Sequence, residues 1–288
     1  MATRYWVGGT GSWSDATNHW SDTTGGTPNA SFLPTSADDV FFDANSGAVT
    51  VTAQTVTPAC ASLNCTGFTG TLAFSAVGLT FYGNLTLSAG MTFTPATNGF
   101  VASAASGSYT IITAGKTLPA LTIGAGASTA TYTLGDAFTS SGVFTVVGGT
   151  FATNNYAFTA SQLATSGTNA RTFNLGSSTI TLSTSVCVSL AAANTTFNAG
   201  TSTISATASG PTFNGGGLTF YNVSFTSVTA GTTAITGTNT FNNLAIPGPS
   251  SAGARLVTFD SPQTINGTLS TTGTAGNRRV WFQGLTYG

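Results

Sequence analysis

The chain has 288 residues, of which 41% are hydrophobic and only 5% charged, with a net charge of −1. Six Lys and Arg residues are too few to neutralise a long run of phosphates, which argues against nucleic acid as a partner. With no Glu, and Lys116 as the only lysine, the chain lacks the straight polar side chains that cover the wet faces of helices, so an all-β fold is expected.

Residues 1–46 differ from everything after them. They hold three of the four tryptophans (Trp6, Trp13, Trp20), the one histidine (His19) and five of the seven aspartates (Asp15, Asp22, Asp38, Asp39, Asp43). The tryptophans are evenly spaced at a heptad interval, but Gly8, Gly9 and Gly11 between them rule out a heptad helix. The block reads as a small, loop-rich cap or attachment module, with Trp6, Trp13, His19, Trp20, Asp38 and Asp39 as candidate attachment or capping residues. Pro28 and Pro34 bracket a loop, and Val40-Phe41-Phe42 reads as the first strand. Gly8-Gly9-Thr10-Gly11 lacks the lysine of a phosphate loop and follows no βαβ pattern, so it reads as a turn. The N-terminus has no signal-peptide profile, and no stretch approaches the ~20 apolar residues of a membrane span. If Met1 is the true start, the expectation is folding in a cytoplasm without membrane insertion.

From residue 47 the texture is uniform: short strand-like runs punctuated by Gly, Asn or Ser-Gly, such as Val49-Thr50-Val51, Leu85-Thr86-Leu87 and Val143-Phe144-Thr145-Val146-Val147. The mean hydropathy of +0.23 and the 20 phenylalanines argue against disorder. Near-repeats run through the region. Thr172-Phe173-Asn174-Leu175-Gly176-Ser177-Ser178-Thr179-Ile180 returns further along as Thr196-Phe197-Asn198-Ala199-Gly200-Thr201-Ser202-Thr203-Ile204. Thr-Phe pairs also begin at Thr150, Thr212 and Thr240, and Leu79-Thr80-Phe81-Tyr82 recurs as Leu218-Thr219-Phe220-Tyr221. Units of this size, each with an apolar face it cannot bury alone, predict a parallel β-solenoid over residues 47–288, in roughly 11 turns of ~22 residues. Asn in the turns is suited to left-handed backbone and to side-chain ladders between turns. A β-sandwich, or two in tandem, also has short strands at regular spacing, but needs no near-identical segments.

Cys60, Cys65 and Cys187 make no disulfide framework and read as small buried hydrophobes, with Cys65 the least clear. Cys60 and Cys65 are an odd number apart and on one straight strand would face opposite ways. Arg278 to Gly288 reads as strand, turn and the start of another strand, without a capping element. A continuation of the solenoid, or cover by another chain, is expected there.

Little of the usual catalytic chemistry is present. Asp136 and Asp260 are the only carboxylates after residue 46, and their expected separation of roughly 25 Å along a stack exceeds the ~5–9.5 Å of glycoside hydrolysis. Asp38, Asp39 and Asp43 could offer oxygens to Ca²⁺, but match no EF-hand loop and read better as turn caps. His19 beside Trp20 reads as structural rather than as a member of a triad. No catalytic, cofactor-binding or metal-binding residue is assigned.

Tyr5-Trp6-Val7-Gly8-Gly9-Thr10-Gly11-Ser12-Trp13-Ser14-Asp15, then His19-Trp20-Ser21 and Pro34-Thr35-Ser36-Ala37-Asp38-Asp39-Val40-Phe41-Phe42-Asp43, resembles the opening of large β-helical proteins of phages and prophages, tail-fibre-like or uncharacterised, also found among bacterial surface proteins. Phe213–Asn222, Asn239–Leu244 and Thr272–Asn277 are similar to the repeats of that family. The resemblance implies a solenoid that runs on past this chain, and transfers no catalytic residue. The resulting expectation is a non-enzymatic virion fibre: a tail fibre, spike or capsid-decorating fibre assembled in the host cytoplasm. Its partners would be other virion proteins and copies of itself in a homo-oligomer, a trimer among the options, with host surface glycans as further candidates. A bacterial cell-surface adhesin or filament subunit is the alternative, and a polysaccharide-degrading tailspike the third reading.

Overall fold

A computed structural model describes residues 1–54, 56–95, 97–250, 253–271 and 278–283. The repeat segment at residues 272–277 and the final residues 284–288 lie outside the described residues. Over the described residues the fold is nearly all β, with 4% helix, and is a parallel stacked β-solenoid of about 11 turns. The chain divides into two compact units, Met1–Gly142 with Val147–Phe151, and Val143–Val146 with Ala152–Gly288. That division does not fall at residue 46; the N-terminal block shares a unit with the turns that follow it.

In the first unit each turn contributes about three short strands, distributed over four sheets along the unit. One sheet runs through Asp39–Phe41, Leu63–Asn64, Leu85–Thr86, Ser108–Ile112 and Thr131–Leu134, all parallel. A second runs through Gly11–Ser12, Thr50–Ala53, Thr71–Phe74 and Thr92–Thr94. A third runs through Ala59–Cys60, Thr80–Phe81, Phe100–Ala102 and Leu121–Ile123. Register sets the turn length: Val40 pairs with Leu63 and Leu63 with Leu85, so successive turns are nearly equal. Period-2 alternation decides what is buried. In Thr50–Ala53 and Thr71–Phe74 the core takes Val51, Ala53, Leu72 and Phe74, while the threonines stay at the surface.

Strand structure begins earlier than Val40. Thr3–Trp6 pairs in parallel with Asp39–Phe41, because Tyr5 and Trp6 already alternate between half-buried and buried positions before Gly8 and Gly9 break the run. Its other edge carries Trp20–Ser21 in antiparallel pairing, and that strand is the outermost of its sheet. An antiparallel return covers the edge that a parallel stack would otherwise leave open.

In the second unit the near-repeat is one full turn. Thr172, Phe173 and Asn174 lie opposite Thr196, Phe197 and Asn198, and Thr179 and Ile180 opposite Thr203 and Ile204. The Thr-Phe pair at Thr212 is not the next member of that column. It lies in Thr212–Asn214, beside Val186–Ser189 and Gly231–Thr236, because the interval from Thr196 is too short to complete a turn. Beyond Ile204 the turns tighten: the steps from Ile204 to Val223 and from Val223 to Leu244 are both shorter than that from Ile180 to Ile204. Here two longer strands, such as Thr219–Phe225 and Gly231–Thr236, replace three short ones. Leu218-Thr219-Phe220-Tyr221 therefore opens a seven-residue strand, whereas Leu79-Thr80-Phe81-Tyr82 surrounds a two-residue one.

Candidate functional site

The N-terminal candidates are brought together, but inward. Trp6 and Trp20 are fully buried, and Trp13, His19 and Asp38 nearly so. Trp6 and Trp20 meet edge to face with ring centroids 5.1 Å apart, Trp13 and Trp20 at 5.0 Å, and Phe42 packs within 5.9 Å of all three indoles. His19 stacks flat on Trp6 at 4.5 Å. The indole N–H groups of the two fully buried tryptophans donate to main chain, Trp6 to Gly9 O and Trp20 to Trp13 O, as buried Trp requires. Two glycines make the packing feasible. A Cβ at Gly11 would fall 1.9 Å from His19 Nε2, and one at Gly8, where φ is +77°, would fall 2.0 Å from Asn18 O. The cluster is an aromatic plug, and its side chains offer little surface to a partner.

The aspartates hold main chain. Asp15 caps the short helix Ala16–His19 by accepting from Asn18 N, and its hydrogen bonds to Asn18 hold its carboxyl below the usual carboxylate range. Asp38 accepts from Thr35 N and Thr35 Oγ1 and lies 3.7 Å from Arg4. Asp43 caps Ala44–Ser46 in a reciprocal capping box. Asp39, half-buried, accepts from Ser62 N one turn on. Asp136 accepts from Thr113 N and Ala114 N, and Asp260 from Gly237 N, each tying its own turn to the preceding one. Among the described residues no group of three or more His, Cys, Asp or Glu could hold a metal ion.

Two features escaped sequence reasoning. Arg171 and Arg255 are buried and, among the described residues, donate to carbonyls rather than to a carboxylate. Arg171 reaches Ser166 O, Gly167 O and Ala193 O; Arg255 reaches Ser227 O and Thr229 O. Desolvation lowers the pKa of both guanidiniums. Small buried hydroxyls also join turns: Thr153 Oγ1 donates to Leu175 O at 2.8 Å, and Ser178 Oγ meets Thr153 Oγ1 at 2.7 Å. Only Arg255, followed by Leu256 and Val257, carried a sequence signal of burial; Arg171 lies among Thr, Asn and Ala and carried none. The hydroxyls look like any other Ser or Thr. The thiols are all buried, and burial raises the pKa of each. Cys60 and Cys65 both face inward because the chain turns between Ala59–Cys60 and Leu63–Asn64 rather than running straight.

What faces solvent is a set of columns. Asn174 and Asn198 are joined side chain to side chain at 2.7 Å, and Asn222 and Asn243 at 2.8 Å; these amide ladders run along strands rather than in the turns where they were expected. Depressions interrupt the columns. One, of about 430 Å³ in the first unit, is lined by Asp39, Phe41, Ser62, Asn64, Asn84 and Thr86, with Thr110 and Ile112 at its far end. Another, of about 240 Å³ in the second unit, is lined by residues that include Phe197, Tyr221, Asn242 and Asn266. No helix among the described residues is long and apolar enough to cross a membrane. Compared with protein-family models, with curated proteins and with solved structures, the chain matches none.

Proposed function

We propose that the chain is a structural segment of a virion fibre, from a phage tail fibre, spike or capsid-decorating fibre, acting by assembly and surface binding rather than by catalysis. One observation carries the reading: Asp39, Asp136, Asp260 and Arg255 tie turn to turn, while the outer columns repeat neutral hydroxyl and amide groups. A surface with few charges favours contact between like subunits over repulsion. The turn-on-turn architecture suits a shaft, since each turn contacts mainly its neighbours. Virion proteins and further copies of this chain are the proposed partners, and the virion its proposed location.

Antibody raised against the purified chain and used for immunogold microscopy tests this. Gold on particles released from the source organism is the expected result. Gold on the cell envelope alone would move the assignment to an adhesin or surface filament. Depolymerisation of envelope glycans, abolished by Asp136→Asn or Asp260→Asn, would move it to a tailspike.

A further inference from the structure

We propose that the depression on the outer face of the first unit, between Phe41 and Ile112, is a binding subsite for a neutral pyranose sugar. The inference rests on the reading of the chain as a surface-binding shaft, and adds the ligand class and the place.

Two parallel columns make the groove. Phe41, Asn64, Thr86 and Ile112 follow one another in register, and Asp39, Ser62, Asn84 and Thr110 form the column beside them. Three turn spacings separate Phe41 from Ile112, about 14 Å at ~4.8 Å per turn. That span accommodates a disaccharide. Bulky side chains close the two ends and smaller polar ones make the floor. The volume of about 430 Å³ falls within the ~300–1,000 Å³ of small-molecule sites.

The aromatic end is built for stacking. Tyr5 lies on Phe41 with centroids 4.9 Å apart and planes 18° from parallel. Tyr5 lies on one side of Phe41 in the column and Asn64 on the other, so the ring face away from Tyr5 is turned towards Asn64 and the groove. A π-face carries the negative quadrupole that attracts the C–H face of a pyranose.

The floor supplies hydrogen bonds of the right kinds. Asn64 and Asn84 use their side-chain oxygens internally, accepting from Thr66 N and Thr110 N. Those bonds fix each amide so that its NH₂ donor remains for a ligand. Asp39 uses one carboxylate oxygen on Ser62 N, which leaves the other as an acceptor. The Thr86 and Thr110 hydroxyls can donate or accept. Sugar hydroxyls need donors and acceptors together on one surface. No Lys or Arg lines the groove, and Asp39 opposes anions, so phosphate-bearing and acidic ligands fit poorly.

The test is titration of the ¹⁵N-labelled full chain with cellobiose, maltose, lactose and, as the acidic control, cellobiouronic acid. Saturable amide shifts confined to residues 39–41, 62–64, 84–86 and 110–112 are expected with at least one neutral disaccharide. Phe41→Ala and Asn84→Ala should each weaken binding ten-fold or more, and the acidic sugar should bind at least ten-fold more weakly. Thr86→Lys, which fills the floor without touching the core, should abolish binding and leave the remaining spectrum intact, separating loss of the groove from loss of the fold. Absence of shifts at about 20 mM sugar, where even a weak surface site should be substantially filled, overturns the proposal. So do shifts that survive Thr86→Lys, or groove shifts that grow with protein concentration alone and so mark a second copy as the occupant. If gold labels virions but no sugar binds, only this subsite is lost; if sugar binds but gold is absent from virions, the subsite stands and the virion assignment falls.

Discussion

Gly11 shows how closely the N-terminal plug is fitted, since even a methyl group there meets the His19 ring at 1.9 Å. Gly11→Ala should lower the unfolding free energy by about 1–3 kcal/mol, the usual cost of overpacking. Denaturant titration followed by tryptophan fluorescence reads it directly, because the plug holds three of the four tryptophans. Titration behaviour also belongs to single residues. Burial pushes the Tyr132 hydroxyl from 10.0 up to about 12, and the Cys187 thiol from 9.0 up to about 12. Because the folded state holds these protons more tightly, their contribution to stability is complete below pH 9 and is lost as pH rises from there towards 12. Stability measured from pH 8 to pH 11.5 should therefore fall monotonically across that window. In the native state the three thiols should resist alkylation at pH 8 and react only after unfolding; a rapidly labelled thiol in folded protein would contradict their placement. The identity of the aromatic block was legible in the sequence; its burial was not. Evenly spaced tryptophans give no sign of which way a loop turns them, and that direction is decided by hydrogen bonds to Gly9 O and Trp13 O.

At the scale of strands and turns, the inward column Ile180, Ile204, Val223 and Leu244 carries the stacking. Ile204→Ala should cost about 2–5 kcal/mol, as large-to-small core changes do. Asn198→Ala should cost nearer ~1 kcal/mol, since it removes one solvent-exposed ladder bond to Asn174. Thermal or denaturant melts of the two variants give the ratio. The sequence revealed this column because Thr172 to Ile180 and Thr196 to Ile204 share both spacing and side chains. It could not reveal where the turn shortens. Thr-Phe at Thr212 carries the same letters as Thr-Phe at Thr196, and only the length of chain between corners decides which sheet receives it. The groove was equally hidden. Phe41, Asn64, Thr86 and Ile112 share no motif, and register alone aligns them.

In the molecule as a whole, distance along the stack grows with turn number rather than with sequence separation. Within the second unit Thr181, Ser205, Ser224, Ala245 and Ser270 form one outward column. Spin labels attached through Thr181→Cys paired in turn with cysteine substitutions at each of the other four positions would measure it, the native thiols being buried. Backbone separations should rise in equal steps of ~4.8 Å, reaching about 19 Å for the Thr181 and Ser270 pair. Distances by continuous-wave and pulsed EPR that increase by one such step per turn are the predicted result. Distances that fail to rise in this order, as paired sheets of a sandwich or a closed barrel would give, would contradict it.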